Sequence, residues 1–295
     1  MSFTSLEPLP HSGPVPPQQV ADEITRAARS SFSLGMNLLS HPRRQAMRAV
    51  YAFCRVVDDI ADGDPPADTM SSSAKLSLLA EWRLEIDRLY AGQPVSAIGQ
   101  ALLEPVGRYD LPKAEFIAMI EGMETDAAGP VIAPKTEDLM VYIRRVAGSV
   151  GCLSMRIFGA YRGAVSDEFA IALANGIQLT NILRDIEEDA EIGRLYLPME
   201  VLKQSEMPPT PADVAIHANL SEVCRIVGGI ARKNYAVAEA LSAQHGRVAL
   251  APARAMMGVY RRYLDLMETR DWQRPAPKMT GPQKLFYGVR AVIAG

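Results

Sequence analysis

NGIQLTNILRDIEEDAEIGRLYLP, residues 175–198, is the stretch whose reading decides the fold of this chain. Read as a helix at about 100° per residue, it places Asn181, Asp185 and Asp189, at i, i+4 and i+8, within an arc of roughly 80° on one face. Gln178 falls inside the same arc. Ile177, Leu179, Ile182, Leu183 and Ile186 supply enough apolar surface to bury the helix among others, so the row of oxygen donors is expected indoors. Carboxylates and amide oxygens are costly to bury without partners, and an oxygen-only set on a helix suits a hard cation such as Mg2+. Glu187, Glu188 and Glu191 keep an alternative open, in which the C-terminal half is an ordinary solvated acidic face.

A second stretch, YAFCRVVDDIADGD at residues 51–64, changes that balance. On the helical wheel Tyr51, Arg55, Asp58 and Asp62 share an arc of about 60°, while Phe53, Val56, Val57 and Ile60 cover much of the remaining circumference. Two such rows facing across a cavity would clamp several Mg2+ ions. Because Mg2+ prefers a few carboxylates together with substrate phosphates, the implied ligand is a di- or polyphosphate. Arg55 and Tyr51 stand one and two turns before Asp58, positioned to give a cation and a phenol to the same phosphate cluster. An Arg-Asp pair internal to the helix is the competing reading of Arg55.

SSF (30–32), YAFCRVVDDIAD (51–62), GMETD (122–126), YIRRVAGSVG (142–151) and QLTNILRDIEEDAEIGRLYLP (178–198) occur in this order, and with them the chain resembles the squalene/phytoene synthases over nearly its whole length. The resemblance implies an all-α, single-domain isoprenoid synthase bundle with a central cavity. It implies an enzyme, a prenyltransferase that joins two isoprenoid diphosphates head to head. Metal ligands are then Asp58, Asp62, Asn181, Asp185 and Asp189, holding Mg2+, three ions with substrate bound. Tyr51, Arg55, Tyr142 and Arg184 take catalytic roles; the phenol of Tyr142 lies near the reacting carbons. Ser30, Ser31, Phe32, Gln178, Arg194, Tyr196 and Tyr260 contact substrate, although Ser30 and Ser31 as plain packing residues, and Tyr260 as plain core, remain equally simple readings. This chain has Ala28 where some relatives carry a histidine.

Among branches of the family, the runs IADGD, EGMETDAAG and RRYLDLMETRDWQRP look most like bacterial presqualene diphosphate synthases of hopanoid pathways. That likeness implies two molecules of farnesyl diphosphate as substrate and no requirement for NADPH, in keeping with the lack of a glycine-rich nucleotide loop. Squalene, dehydrosqualene and phytoene synthesis are alternatives within the family. A one-substrate terpene cyclase and a catalytically silent helical assembly factor are alternatives outside it; the second gives no reason to bury unpaired carboxylates.

The 295 residues are 48% apolar and 6% aromatic, a balance of packed helices with a sizeable core. A net charge of -3 argues against bulk nucleic-acid binding. Cys54, Cys152 and Cys224 lie in apolar helical contexts without metal-ligand spacing, as reduced thiols of a cytoplasmic protein would. Residues 1–18, rich in Pro and Ser, read as a disordered tail without signal-peptide character, and 19–295 as one helical domain. No apolar run reaches the roughly 18 residues of a membrane span.

Helices are predicted over about 19–39, 43–62, 71–91, 97–108, 113–126, 137–161, 221–241 and 250–267, with a Pro-rich loop at 203–213. In the third, Leu76, Leu79, Trp82, Leu84, Ile86 and Leu89 are expected to pack inward. Glu121, Glu124 and Asp126 are read as helix-end or supporting carboxylates, not metal ligands. Gly148 and Gly151 inside a helix imply a close approach, by a prenyl chain or by a neighbouring helix. From Arg254 onward the chain carries eight Lys and Arg against three Asp and Glu, a net +5. Its closing segment, residues 284–290, is a short basic amphipathic stretch suited either to an anionic inner-membrane surface or to docking on the bundle.

Overall fold

The computed structural model describes residues 15–27, 32–63 and 70–294, with the side chains of Phe32 and Ser33 outside the description. In chain order the helices are α1 (Pro17–Ala27), α2 (Phe32–Met36), α3 (His41–Asp62), α4 (Ser72–Tyr90), α5 (Ala97–Arg108), α6 (Lys113–Ala128) and α7 (Thr136–Ile143). A π-helical turn, Arg144–Gly148, leads into α8 (Ser149–Phe158). Then come α9 (Ala164–Arg184), α10 (Ile186–Glu191), α11 (Met199–Gln204), α12 (Pro211–Val214), α13 (Leu220–Ser242), α14 (Ala251–Thr269) and α15 (Gly281–Ala294). No β-strand forms among the described residues, only isolated bridges. Nor is any described helix long and apolar enough to cross a membrane.

Two compact units divide the chain: Met1–Gly129 with Ser149–Tyr161, and Pro130–Gly148 with Arg162–Gly295. In the first, α3 is the central element. Pro42 sits in its first turn, where a missing N–H costs nothing, and Gly63 ends it with φ 76. Phe53, Val56, Val57 and Ile60 are buried as their spacing predicts. Phe53 meets Trp82 and Phe116 edge to face at 5.7 and 5.2 Å, which ties α3 to α4 and α6.

The buried face of α4 differs from expectation. Leu84 is 47% exposed and Leu78 is buried, because Leu78, Leu79, Trp82, Glu85, Ile86 and Leu89 share one side of the wheel and Leu84 lies opposite. Glu85 is wholly buried. Its Oε1 accepts the backbone N–H groups of Val95 and Ser96 at 2.9 and 2.7 Å, and its Oε2 accepts from Arg88 at 3.2 Å. A Cβ on Gly99 would stand 2.4 Å from Oε1, so the start of α5 is built tightly against this carboxylate. Glu85→Ala therefore strands the buried Ser96 N–H and the partly buried Val95 N–H and should cost about 2–5 kcal/mol, read as a lowered urea midpoint. A midpoint within error of wild type would contradict this role.

In the second unit α9 lies along α13, and α15 packs on α14. Gly176 allows the approach of α13, since a Cβ there would come within 2.8 Å of the Tyr235 ring. Thr180 and Tyr235 hydroxyls meet at 2.9 Å on the same face. Gly148 closes the π-helical turn, where a Cβ would stand 2.9 Å from Cδ of Arg144 in the same turn. The expected helix at 137–161 is thus two helices joined by a widened turn, a feature that often accompanies functional sites. Of the expected first helix, Pro17–Ala27 and Phe32–Met36 are helical, with 28–31 outside the described residues, and it begins at Pro17, inside the expected tail.

Residues 175–191 are not one continuous helix. Asp185 takes φ -100 and ψ 16, ending α9, and α10 restarts at Ile186. The break is held from outside: Arg274 donates to the carbonyls of Leu183 and Arg184 at 2.8 and 3.4 Å and to Glu187 at 3.2 Å. Those are carbonyls that a helix end leaves without partners. Asp185 N–H to Asn181 O and Asp189 N–H to Asp185 O, both 2.8 Å, preserve the four-residue spacing across the break.

Candidate active site

The first unit carries the row on α3. Arg55 bridges Asp58 at 3.0 Å and Asp59 at 2.5 Å, the intrahelical pairing left open above, and Tyr51 lies half-buried two turns before Asp58. Asp62, at the C-terminal end, is exposed. Burial and then the charge of Asp62 push the Asp58 carboxyl up to about 7; Arg55 pulls it down, and Asp59 and Asp126 add to the rise. With 37% of the Asp58 side chain exposed, crowding by like charges is the firmer of these causes. Asp126, buried on α6, belongs to this cluster although the sequence reading left it in a supporting role.

A carboxyl raised in the folded state binds protons that the unfolded chain has released, so its contribution to stability is lost as pH rises through the window from 3.8 to about 7. Asp58→Asn should therefore become progressively more stable than wild type over that window, with the gap constant above about 7. Paired melting curves in metal-free buffer check this. A gap independent of pH would remove the charge crowding.

The second unit carries the other row. Asn181 Nδ2 donates to Gln178 Oε1 at 3.3 Å, while Asn181 Oδ1 is buried with no hydrogen-bond partner. Asp185 receives Arg184 in a two-pronged pair, Nε to Oδ1 and Nη2 to Oδ2, both 2.6 Å. Burial would pull the Arg184 guanidinium down, but the Asp185 pairing more than offsets it and holds the group firmly charged. Arg184 also reaches the Tyr260 hydroxyl and lies 5.2 Å over the Tyr263 ring. Tyr260 is buried, and burial pushes its phenol up while Arg184 pulls the other way. Asp189 and Arg194 are half-buried near Gly193, whose φ of 76 ends α10.

Tyr142 and Tyr196 stack at 5.5 Å with rings 19° apart. The register comes from the backbone: Ala133 N–H donates to Leu195 O at 2.7 Å and Leu195 N–H to Val131 O at 2.8 Å, which pins Tyr196 beside α7. Ser30 and Ser31 lie outside the described residues, as does the side chain of Phe32. Sequence reasoning missed Tyr263 and Arg274. Tyr263 is one turn beyond Tyr260 and readable as its neighbour; Arg274, ninety residues past the break it caps, has no local signal.

Among the described residues no group of three or more His, Cys, Asp or Glu forms a ready-made metal cage. The donors nonetheless fit Mg2+, which takes only a few protein oxygens and completes its shell with water and phosphate. Asn181 Oδ1 offers a buried oxygen without a partner, and the Asp58 cluster holds carboxylates whose mutual repulsion a cation would relieve. The three cysteines are free and buried, with Cys54 and Cys224 pushed up by burial to about 12 and about 11.

The squalene/phytoene synthase profile matches residues 25–283. The chain is 39% identical to a presqualene diphosphate synthase of Zymomonas mobilis over 87% of its own length and 86% of the relative's. It is 39% identical to one of Rhodopseudomonas palustris (86% and 90%) and 33% identical to a phytoene synthase of Arthrospira platensis (86% and 84%). A solved dehydrosqualene synthase in complex with ligand superposes with a TM-score of 0.79 at 23% identity, over 94% of this chain and 96% of that one. This likeness establishes the all-α isoprenoid synthase fold. On profile, identity and fold together, the chain belongs to the squalene/phytoene synthase family of prenyltransferases.

Proposed function

We propose that this chain condenses two farnesyl diphosphates head to head (1'-1) into presqualene diphosphate, releasing one diphosphate, on a route to squalene and hopanoids. The observation that carries this reading is the higher identity to relatives named presqualene diphosphate synthase than to those named phytoene synthase at like coverage. The enzyme works in the cytoplasm and touches the inner membrane face peripherally.

Asp58, Asp62, Asn181, Asp185 and Asp189 are the residues that would hold Mg2+. When bound, Mg2+ supplies the positive charge that neutralises a diphosphate as it becomes a leaving group. Arg55, paired with Asp58 and Asp59, and Arg184, paired with Asp185, are the guanidinium groups beside those carboxylates that would pair with diphosphate oxygens. Tyr51 donates from its phenol to the same group, and Arg194 and Tyr196 serve the second diphosphate. Breaking the C1–O bond of one substrate leaves an allylic cation; the double bond of the other attacks it, and loss of a proton closes the cyclopropane. Tyr142, stacked on Tyr196, and Tyr260 offer ring faces to the cationic centre. Ser30, Ser31, Phe32 and Gln178 contact substrate. No reductant enters this balance, so NADPH is not required.

The test is incubation of the purified chain with farnesyl or geranylgeranyl diphosphate and Mg2+, with and without NADPH, and identification of products after dephosphorylation. Presqualene alcohol from farnesyl diphosphate, independent of NADPH, is expected. Squalene with NADPH, or phytoene from the longer substrate, would replace the reading within the family. A C15 product from a single substrate would point to a cyclase, and no diphosphate release at all to an assembly factor.

A further inference from the structure

α15 packs on α14 through one face only. A Cβ on Gly258 would stand 2.3 Å from Cβ of Ala291 and 2.8 Å from the Tyr287 carbonyl, so the two backbones are in near contact there. Arg262 lies 4.9 Å over the Tyr287 ring, and Lys284 lies 5.8 Å from the Tyr263 ring. These contacts take up the side of α15 bearing Lys284, Tyr287, Gly288 and Ala291. Pro282, Leu285, Phe286, Val289 and Ile293 fall on the other side, within an arc of roughly 100°. Leu285, Phe286, Val289 and Ile293 are 52, 60, 43 and 72% exposed. A soluble helix ordinarily turns such a stripe inward.

Beside this stripe is a cleft of about 460 Å³ whose lining includes Glu239, Arg254, Arg261, Arg262, Asp265 and Arg290. Glu239 is paired with Arg261 at 2.8 Å, and Asp265 with Arg232. Arg254, Arg262 and Arg290 carry no ion pair among the described residues. Arg254 is 6% exposed, donates to Ser242 Oγ at 3.2 Å, and has an Nε that, like that of Arg262, lacks any hydrogen-bond partner. A buried guanidinium beside a cleft whose two carboxylates are already paired to Arg261 and Arg232 leaves room for an added anion. Arg290 and Ala294 line both the cleft and the apolar face, so the two form one continuous surface.

We propose that this surface docks the protein on an anionic phospholipid bilayer. The apolar face of α15 enters the boundary between headgroups and acyl chains, and the cleft of Arg254, Arg262 and Arg290 receives a lipid phosphate. Charge complementarity selects a bilayer as the occupant: Arg254, Arg262 and Arg290 line the cleft beside the apolar stripe, Arg290 lines both, and α15 carries Lys284 and Arg290 with no acidic residue. The inference rests on α13, α14 and α15 and does not depend on which reaction the chain performs.

Flotation of the full chain with vesicles of phosphatidylcholine, alone or with about one quarter phosphatidylglycerol, tests the proposal. Binding to the anionic vesicles at least about tenfold above the neutral ones is expected, weakening in high salt. Phe286→Glu and Ile293→Glu should abolish it. Arg262→Gln combined with Arg290→Gln should reduce it about 25-fold, at roughly fivefold per arginine, with melting curves and turnover on detergent-dispersed substrate unchanged. Equal binding to both vesicles, wild-type binding by the variants, or a dimer in solution that Phe286→Glu dissociates would each overturn it. The last outcome would mean that a second copy covers the face.

Discussion

Asp58→Asn and Asp185→Asn should each lower turnover of a prenyl diphosphate by about 10³-fold or more while the protein stays folded. The argument is about charge, because asparagine keeps the shape and one oxygen donor but removes the negative charge that would hold a divalent cation against a diphosphate. At Asp58 the substitution also relieves the crowding with Asp62, Asp59 and Asp126, so the variant should melt no lower than wild type near neutral pH. Loss of activity with retained or raised stability separates a role at the site from a role in folding. A rate within about tenfold of wild type in either variant would take that residue out of the site.

Arg184→Ala should cost about 10²–10³-fold in kcat. Arg184 has the connections of a group that senses the state of Asp185: a two-pronged pair at 2.6 Å, contact with Tyr260, and a position over Tyr263. If it helps withdraw the leaving diphosphate, its loss should fall on kcat more than on KM. Arg184→Lys should recover part of the rate, since an ammonium restores the charge but not the fork that fits a carboxylate or phosphate. Equal rates for the alanine and lysine variants would make the guanidinium a packing group. A rise in KM with kcat unchanged would make it a binding group.

Much of the fold was legible in local pattern. The apolar spacing of Phe53, Val56, Val57 and Ile60 located the buried side of α3, and the boundaries expected at 97–108 are those of α5. Pattern failed where a distant side chain overrides it. Leu84 is expected to pack inward, yet the buried position on that wheel belongs to Glu85, which accepts two N–H groups from the start of α5. Nothing in the apolar count of α4 reveals a carboxylate satisfied from ten residues away. The helix expected through Asp185 breaks for a similar reason: Arg274 holds carbonyls that local propensity would have left within a continuing helix.

For the site, residue type and spacing brought Asp58, Asp62, Asn181, Asp185 and Asp189 forward as candidates, because four-residue repeats of oxygen donors in apolar helices follow from helical geometry, and the family resemblance gave them their expected role. They also separated the basic, apolar close of the chain from its acidic remainder. Tertiary structure decided what no local spacing fixes: Asn181 Oδ1 buried without a partner, Tyr142 stacked on Tyr196, Asp126 brought to the Asp58 cluster, and the apolar stripe of α15 turned to solvent. The difference is physical. A helix sets the direction of each side chain within a few residues of sequence, whereas a pKa, an orphaned oxygen or an exposed face depends on atoms that arrive from tens of residues away.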